Sequence, residues 1–554
     1  MTQAKAVALK ADDTYIPRPW DDSDLVTDWS AFPGGYGILL NERLIFPEDL
    51  CLWRMKIDTT RQLFVDDHLI AHQRDLKRHF HSPKDHPANP LMNPCIPTFV
   101  GPDEEHGYRL YYMERGMRVA FSKDGVCWDK PDLDVCDSPA NAAPNEPNNL
   151  VDVDHLGVFY EPDDPDERQR WKAIGGGHTQ VTWPYAAMPP TRRPLWLGGI
   201  KPPPQPDPPP PLRGGLHDLF ISPDGIRWTR KCTTALTGGS IGFNAPYERP
   251  TGTSMLRVRW DPKLKKYIAN TKRVIGPDLH VSPIYQHARA VATCESDDLI
   301  HWSSPRIFAY PDGEDVKMPG MFGIYEASGF PYESMWLNCF SMSWYIPVSR
   351  QESRDRKLMP TRPYIKRNRI RLAGSRDGRH WYYLGDRRPF IDLGAEDSWK
   401  PHYLRMANLH TVGGPLLKDD ELWFYYRGSD ADIDKNLRGR AMGVAILRRD
   451  GFASLNAGEE AGVVITRPLV FEGEGKLFVN ADVGTNGCVR ASVVAEDASA
   501  IDGFGEEDCR AVCADSTRSR IGWSGNATLA RLKDRYVRLA FHLTNAKLYS
   551  FWIA

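Results

Sequence analysis

The sequence predicts an all-β protein: a five-bladed β-propeller followed by a C-terminal β-sandwich. Three observations carry this. Turn formers and aromatics are abundant together, with 45 Gly, 45 Pro, 17 Trp, 22 Tyr and 21 Phe in 554 residues, a mix that favours strands joined by tight turns. A short motif, Ser-x-Asp-Gly-x-x-Trp, recurs along most of the chain. After residue 455 that motif stops and alternating strand-like runs take over.

The motif copies define the blades. FSKDGVCW carries Ser122, Asp124, Gly125 and Trp128, and ISPDGIRW carries Ser222, Asp224, Gly225 and Trp228. ESDDLIHW keeps Ser296, Asp298 and Trp302 but has Leu299 where Gly stands elsewhere. GSRDGRHW carries Ser375, Asp377, Gly378 and Trp381, and the worn LRRDGFAS keeps only Asp450 and Gly451. Asp-Gly is a hairpin signal, because Gly accepts positive φ and Asp bonds the backbone that follows it. Each copy follows a strand-like run: MRVAF, LHDLFI, ARAVATC, RIRLAG and GRAMGVAIL. A repeat of ~75 residues suits one four-stranded blade with its loops, and five repeats suit a five-bladed ring. The aspartates therefore hold turns, and the Trp opens the next strand. The longer first interval contains KPPPQPDPPPPLR (Lys201 to Arg213), which must be extended and is read as an inserted surface loop of the second blade.

Three regions follow. Residues 1–60 are polar and Pro-bearing, an extension expected to pack on the propeller; 61–455 form the propeller; 456–554, with GVVITRPLVF, CVRASVVAE and YVRLAFHL, form the sandwich. With 70 basic and 72 acidic residues the net charge is −2, which removes the electrostatic case for nucleic acid or an anionic membrane surface as partner. No apolar run approaches the ~18 residues of a membrane span. MTQAKAVALK lacks the apolar stretch of a secretory signal, so the expected location is cytoplasmic. The ten cysteines contain no Cys-x-x-Cys pair; even Cys509 and Cys513 read as small hydrophobes in a reducing compartment. His79, His81 and His86 read as polar loop residues, and GGGH at Gly175 to His178 lacks the Lys-Ser/Thr of a phosphate loop.

The motif-bearing blades and terminal sandwich resemble the five-bladed glycoside hydrolases of families 32, 43, 68 and 117. RQLFVDDHLI (Arg61 to Ile70), HPANP (His86 to Pro90), TRPLVFEG (Thr466 to Gly473) and AKLYSFWI (Ala546 to Ile553) are similar to segments of an uncharacterised bacterial group of glycosidase-like propellers. The WMNDPNG and ECP motifs of the fructan-cleaving family 32 are absent, so fructose chemistry is not assigned. The resemblance implies an axial pocket in which acids from different blades meet. Glycoside hydrolysis needs one carboxyl to protonate the leaving oxygen and another to activate water or attack carbon. The candidates are therefore acids at the start of each blade's first strand.

In the second blade, NNLVDVDHLGVFYEP offers Asp154 as base or nucleophile, with His155 beside it to bind substrate. Asp152, Asp154 and His155 also make a Ca²⁺ near the axis a candidate, although no cofactor is required. In the third, YERP offers Glu248, which with Arg249 would position the sugar; Thr253 and Ser254 stand where the related families usually carry an acid. In the fourth, Glu326 follows Tyr325 among small residues. The expected apolar setting would raise its pKa, as a general acid needs; Asp315 and Glu333 compete. In the fifth, Trp399, His402, Tyr403 and Arg405 suit sugar stacking and hydroxyl recognition. In the first, His86, Asn89 and Asn93 offer groups for sugar hydroxyls, although Asn-Pro is equally turn chemistry. The expected function is hydrolysis of a glycosidic bond in a short oligosaccharide or glycoside, with carbohydrate as the partner and a homo-oligomer left open. Two alternatives stand: a non-catalytic carbohydrate-binding propeller, favoured by the missing third-blade acid, and a metal-assisted hydrolase or lyase using His155, His178 and His402.

Overall fold

The computed structural model describes residues 54–137, 146–153, 156–183, 212–237, 257–275, 288–303, 305–315, 321–349, 351, 364–406, 408–409, 414–429 and 440–554. Its named elements are strands and short 3-10 turns, as an all-β fold requires. Among the described residues no helix is long and apolar enough to cross a membrane.

Among the described residues the strands form four hydrogen-bonded sheets. One contains Ile96–Asp103, Gly107–Met113 and Met117–Ser122, antiparallel in chain order. A second runs Leu156–Tyr160, Trp171–Trp183, Leu212–Ser222, Thr229–Thr237. Trp183 faces Leu212 in that register, so the proline-rich segment connects two neighbouring strands; Lys201 to Pro211 themselves lie outside the described residues. The largest sheet holds three further antiparallel runs. They begin with Arg257–Asp261, Met321–Tyr332 and Tyr403–Met406. Single parallel pairings, Arg289 with Gly323 and Asn368 with Tyr403, join them. The last run is completed from the other end of the chain: Lys84 and Asp85 pair with Ile446 and Ala445.

The repeated motif folds the same way each time. Ser122 Oγ accepts from Gly125 N at 2.8 Å, and Asp124 Oδ1 accepts from Val126 N and Cys127 N at 2.7 and 2.8 Å. The same three bonds recur at Ser222/Asp224, Ser296/Asp298 and Ser375/Asp377. Gly125, Gly225 and Gly378 sit at φ +78°, +71° and +75°, and Leu299 meets the same demand at φ +66°. The tip is also a joint between sheets. Tyr425 Oη donates to Gly125 O at 2.8 Å, and Tyr111 Oη donates to Gly225 O at 2.5 Å. Trp228 Nε1 shares that second carbonyl at 3.1 Å.

The fourth sheet has ten strands and is built around Leu477–Ala495 and Val537–Ile553. Residues 61–80, expected at the start of the propeller, belong here. Gln62–Leu63, Ile70–Arg74 and Lys77–Phe80 pair with strands of the C-terminal region. The physical reason is burial: Phe64, Leu69 and Leu76 join Phe541 and Phe551 in one core. The Asp of the worn fifth motif serves this junction instead of its own turn. Asp450, fully buried, accepts from Arg61 Nη1 (2.7 Å), Tyr332 Oη (2.7 Å), Asn480 Nδ2 (3.0 Å) and Ser550 Oγ (2.6 Å). Cys95, Cys294, Cys339 and Cys509 are buried, whereas Cys127 and Cys513 are exposed.

Candidate functional site

The first strands of several antiparallel runs meet around one carboxylate. Glu326 is 2% exposed. A bulge between Ile324 and Glu326, opposite Met342 and Ser341, breaks the alternation of Met321–Tyr332 and re-aims the side chain. Arg257, from Arg257–Asp261, donates Nε to Glu326 Oε1 at 2.5 Å. Arg405, from Tyr403–Met406, donates Nε to Oε2 at 2.5 Å and Nη2 to Oε1 at 3.1 Å. Arg257 also reaches Met406 O at 2.5 Å and Thr98 O at 3.5 Å. One guanidinium thus ties together four strands.

Neighbouring buried side chains repeat this pattern of bonding across strands. Asn368 Nδ2 donates to Leu404 O at 2.9 Å, and Ser343 Oγ bonds Asn368 Oδ1. Asn270 Nδ2 donates to Ala327 O at 3.3 Å. Buried polar groups of this kind fix backbone spacing because leaving any of them unpaired is costly.

The expected apolar setting of Glu326 is corrected by this geometry. Burial alone would raise its pKa, but the Arg257 and Arg405 guanidiniums outweigh burial and hold it below the usual carboxylate range. An ionised, doubly paired carboxylate is a poor proton donor, so the general-acid role does not suit it. Both arginines lie far away in sequence, which is why the local composition around Glu326 misled.

The competing acids have other work. Asp315 accepts from Arg371 at 2.5 Å and from Tyr383 Oη at 3.0 Å, near a sheet edge. Glu333 accepts from Arg61 N at 3.0 Å and Arg449 at 3.3 Å, at the junction with the C-terminal sheet. Asn89 commits its amide to the backbone of Val444, giving and receiving at 2.9 Å, so it is corrected from sugar ligand to sheet clamp. Asn93 is exposed. His86 Nδ1 accepts from Ala88 N at 3.1 Å, a local turn bond.

Trp399 stacks on Tyr426 with centroids 5.5 Å apart and covers Gly428 and Gly443, so its ring is used for packing. His402 faces Glu396 at 3.3 Å. Tyr403 pairs through its backbone with Ser429 and Asn368. Tyr325 lies under the Arg289 guanidinium at 4.8 Å. Asp152 is exposed. Asp154, His155, Glu248, Arg249, Thr253 and Ser254, and the His178 side chain, lie outside the described residues. Among the described residues no group of three or more His, Cys, Asp or Glu is placed to hold a metal ion.

Sequence reasoning missed Arg257. A signal was available: Arg257 and Arg259 alternate with Val258 and Trp260 on a first strand, and both arginines are buried, at 5% and 4% exposure. Charges alternating on a strand that opens a repeat mark a polar inner face.

No family model and no curated protein matches the chain. Similar solved structures include an N-acetylgalactosamine deacetylase from F. plautii, at 14% identity, 68% of this chain, 97% of that one and TM-score 0.35. A glycoside hydrolase family 32 beta-fructofuranosidase from Bombyx mori gives 10% identity, 86% and 94% coverage and TM-score 0.34. A beta-1,2-mannobiose phosphorylase from Listeria innocua gives 9%, 67%, 97% and 0.33. At these TM-scores the likeness supports no residue correspondence.

Proposed function

We propose that the antiparallel runs are the blades of a five-bladed propeller, that the C-terminal sheet is a sandwich joined by residues 54–80, and that the chain is a carbohydrate-active enzyme cleaving a glycosidic bond of a short oligosaccharide or glycoside at the axis. The observation that carries the reading is the meeting of Arg257, Glu326 and Arg405, from three different runs, at one buried carboxylate. Pairing of Lys84 and Asp85 with the last run supports the reading, since it joins an early segment of the chain to the last proposed blade.

In this reading Glu326 is a positioning residue. It stays ionised and fixes two guanidiniums, and through them the first strands of three runs that line the proposed axial site. The acid and base that glycoside cleavage needs are then assigned to Glu248 and Asp154, with Asp154 as base or nucleophile. The test is release of nitrophenol from nitrophenyl furanosides and pyranosides of both anomers. Asp154→Asn is expected to lose ~10²-fold or more on the substrate that wild type cleaves. Nitrophenolate leaves with little acid assistance, so Glu248→Gln is to be read on the matching unactivated oligosaccharide, where a similar loss is expected.

A second reading, a carbohydrate-binding propeller without catalysis, is favoured by one observation: both oxygens of Glu326 are occupied by guanidiniums. Saccharide binding by wild type without turnover on any member of the panel would select it.

A further inference from the structure

A cavity of about 670 Å³ lies at the outer edge of the run that begins with Met321–Tyr332, a size within the ~300–1,000 Å³ range of small-molecule sites. Phe308, Tyr310, Trp381 and Tyr383 line it together with Asp312 and Arg387, and the Phe308 and Trp381 rings lie 6.0 Å apart. Tyr382–Tyr383 pairs with Tyr364–Ser375, which pairs with Met335–Pro347, which pairs with Met321–Tyr332. Three strand spacings of ~4.8 Å therefore separate this edge from the strand of Glu326, about 14 Å in all.

Its polar groups are held rigidly. Arg387 forks onto Asp312 at 2.8 and 2.5 Å, and its guanidinium lies 4.5 Å from the centre of the Tyr383 ring. Asp312 nevertheless keeps 42% of its side chain exposed and Arg387 keeps 32%. Gly385, Asp386 and Arg387 follow one another at φ +66°, +52° and +61°. Two consecutive non-glycine residues in the left-handed region are strained, a state that persists where surrounding contacts impose it.

Charge and shape together narrow the ligand. The carboxylates at the cavity are paired: Asp66 with Arg376, Asp67 with Arg78, Asp312 with Arg387, Asp386 with Arg388. With its charges balanced, the cavity offers a polyanion little attraction. It presents fixed acceptors and donors beside aromatic faces, and Tyr310 is 52% exposed. A pyranose matches this surface, having an apolar C–H face and a rim of hydroxyls.

We propose that this cavity is a second carbohydrate site that takes a neutral oligosaccharide, one ring stacked on Tyr310 and hydroxyls on Asp312 and Arg387. It is independent of the axial chemistry, and binding alone tests it. The full chain is applied to an array of neutral and acidic oligosaccharides as wild type, Tyr310→Ala, Asp312→Asn and Leu417→Ala, the last an exposed apolar residue elsewhere. Wild type and Leu417→Ala are expected to retain the same neutral oligosaccharide, and Tyr310→Ala to retain it about tenfold more weakly. Asp312→Asn is expected to weaken it as well. Equal retention by Tyr310→Ala, a preference for acidic members, or no neutral oligosaccharide held by wild type would overturn the proposal. Because Tyr310 is exposed, its truncation leaves the fold intact even if Asp312→Asn does not. Nitrophenol release reports on the axis separately, so failure of either reading is seen without the other.

Discussion

Arg257 holds Glu326 through an Nε–Oε1 hydrogen bond of 2.5 Å that spans 69 residues of sequence. Both groups are almost fully buried, so neither can turn to water if its partner is lost. Glu326→Gln leaves Arg257 and Arg405 facing an uncharged amide. The expected cost is ~3–5 kcal/mol, the range for breaking a buried pair from one side, read as a lower urea midpoint. The carboxyl pKa is depressed by the arginines. Its contribution is therefore present above the unfolded value of ~4.3 and is lost as pH falls through the lower folded value. An unchanged midpoint at neutral pH in Glu326→Gln would mean that the pair contributes nothing to stability.

Asp450 is the corresponding knot between the C-terminal sheet and the rest of the chain. It is fully buried and accepts from Arg61, Tyr332, Asn480 and Ser550. Asp450→Asn is expected to cost ~3 kcal/mol, the low end of the range for breaking a buried pair from one side, because buried Arg61 loses its 2.7 Å partner and keeps only the more distant Glu333 carboxylate at 3.9 Å. Ser550→Ala removes one donor and should cost ~1 kcal/mol. Denaturant titration of the two variants checks the order, and a Ser550→Ala effect as large as that of Asp450→Asn would contradict it.

Leu299 occupies the position that is glycine in the four other copies of the turn motif, and replacing it with glycine is expected to be harmful. Leu299→Gly would relieve ~1–2 kcal/mol of left-handed strain at φ +66°. It would also empty a core site, since Leu299 is 2% exposed and packs with Phe159 and Cys294, at ~2–5 kcal/mol. A net loss of ~1–3 kcal/mol is expected. The converse change, Gly225→Ala, is expected to cost ~2–4 kcal/mol, because the new Cβ would fall on Arg109 and Tyr111. Thermal unfolding of both variants decides, and a stabilised Leu299→Gly would show that backbone strain outweighs packing there.

The turn motif was legible in the sequence because it is self-contained: Ser222, Asp224 and the amides they bind lie within a few residues. The pairings of distant segments were not legible. Nothing near Gln62 or Lys77 indicates that their partners are Phe551 and Asn456. Asn89 looked available for a ligand until Val444, 355 residues away, claimed both ends of its amide. The site around Glu326 failed for the same reason. Its position at the opening of a repeat was readable, but its ionisation state depends on Arg257 and Arg405, contributed by other strands.

Acid should weaken the protein through two histidines before the carboxylates titrate. His68 is held neutral down to about 4, chiefly by burial and then by the Arg376 charge. His81 is likewise lowered to about 4, by burial and then by His79, and its Nε2 bonds Ser454 Oγ at 2.8 Å. In the unfolded chain both take up a proton near ~6.5. Between those values the unfolded state binds more protons than the folded one, so stability rises with pH across that window and falls on acidification from ~6.5 towards 4. His68 contributes on the order of 2–3 kcal/mol to this slope, and the half-exposed environment of His81 makes its share smaller. Urea midpoints measured across the window should slope for wild type and flatten in the double variant His68→Asn, His81→Asn. If the slope survives in the double variant, it originates in other groups and the two rings titrate normally.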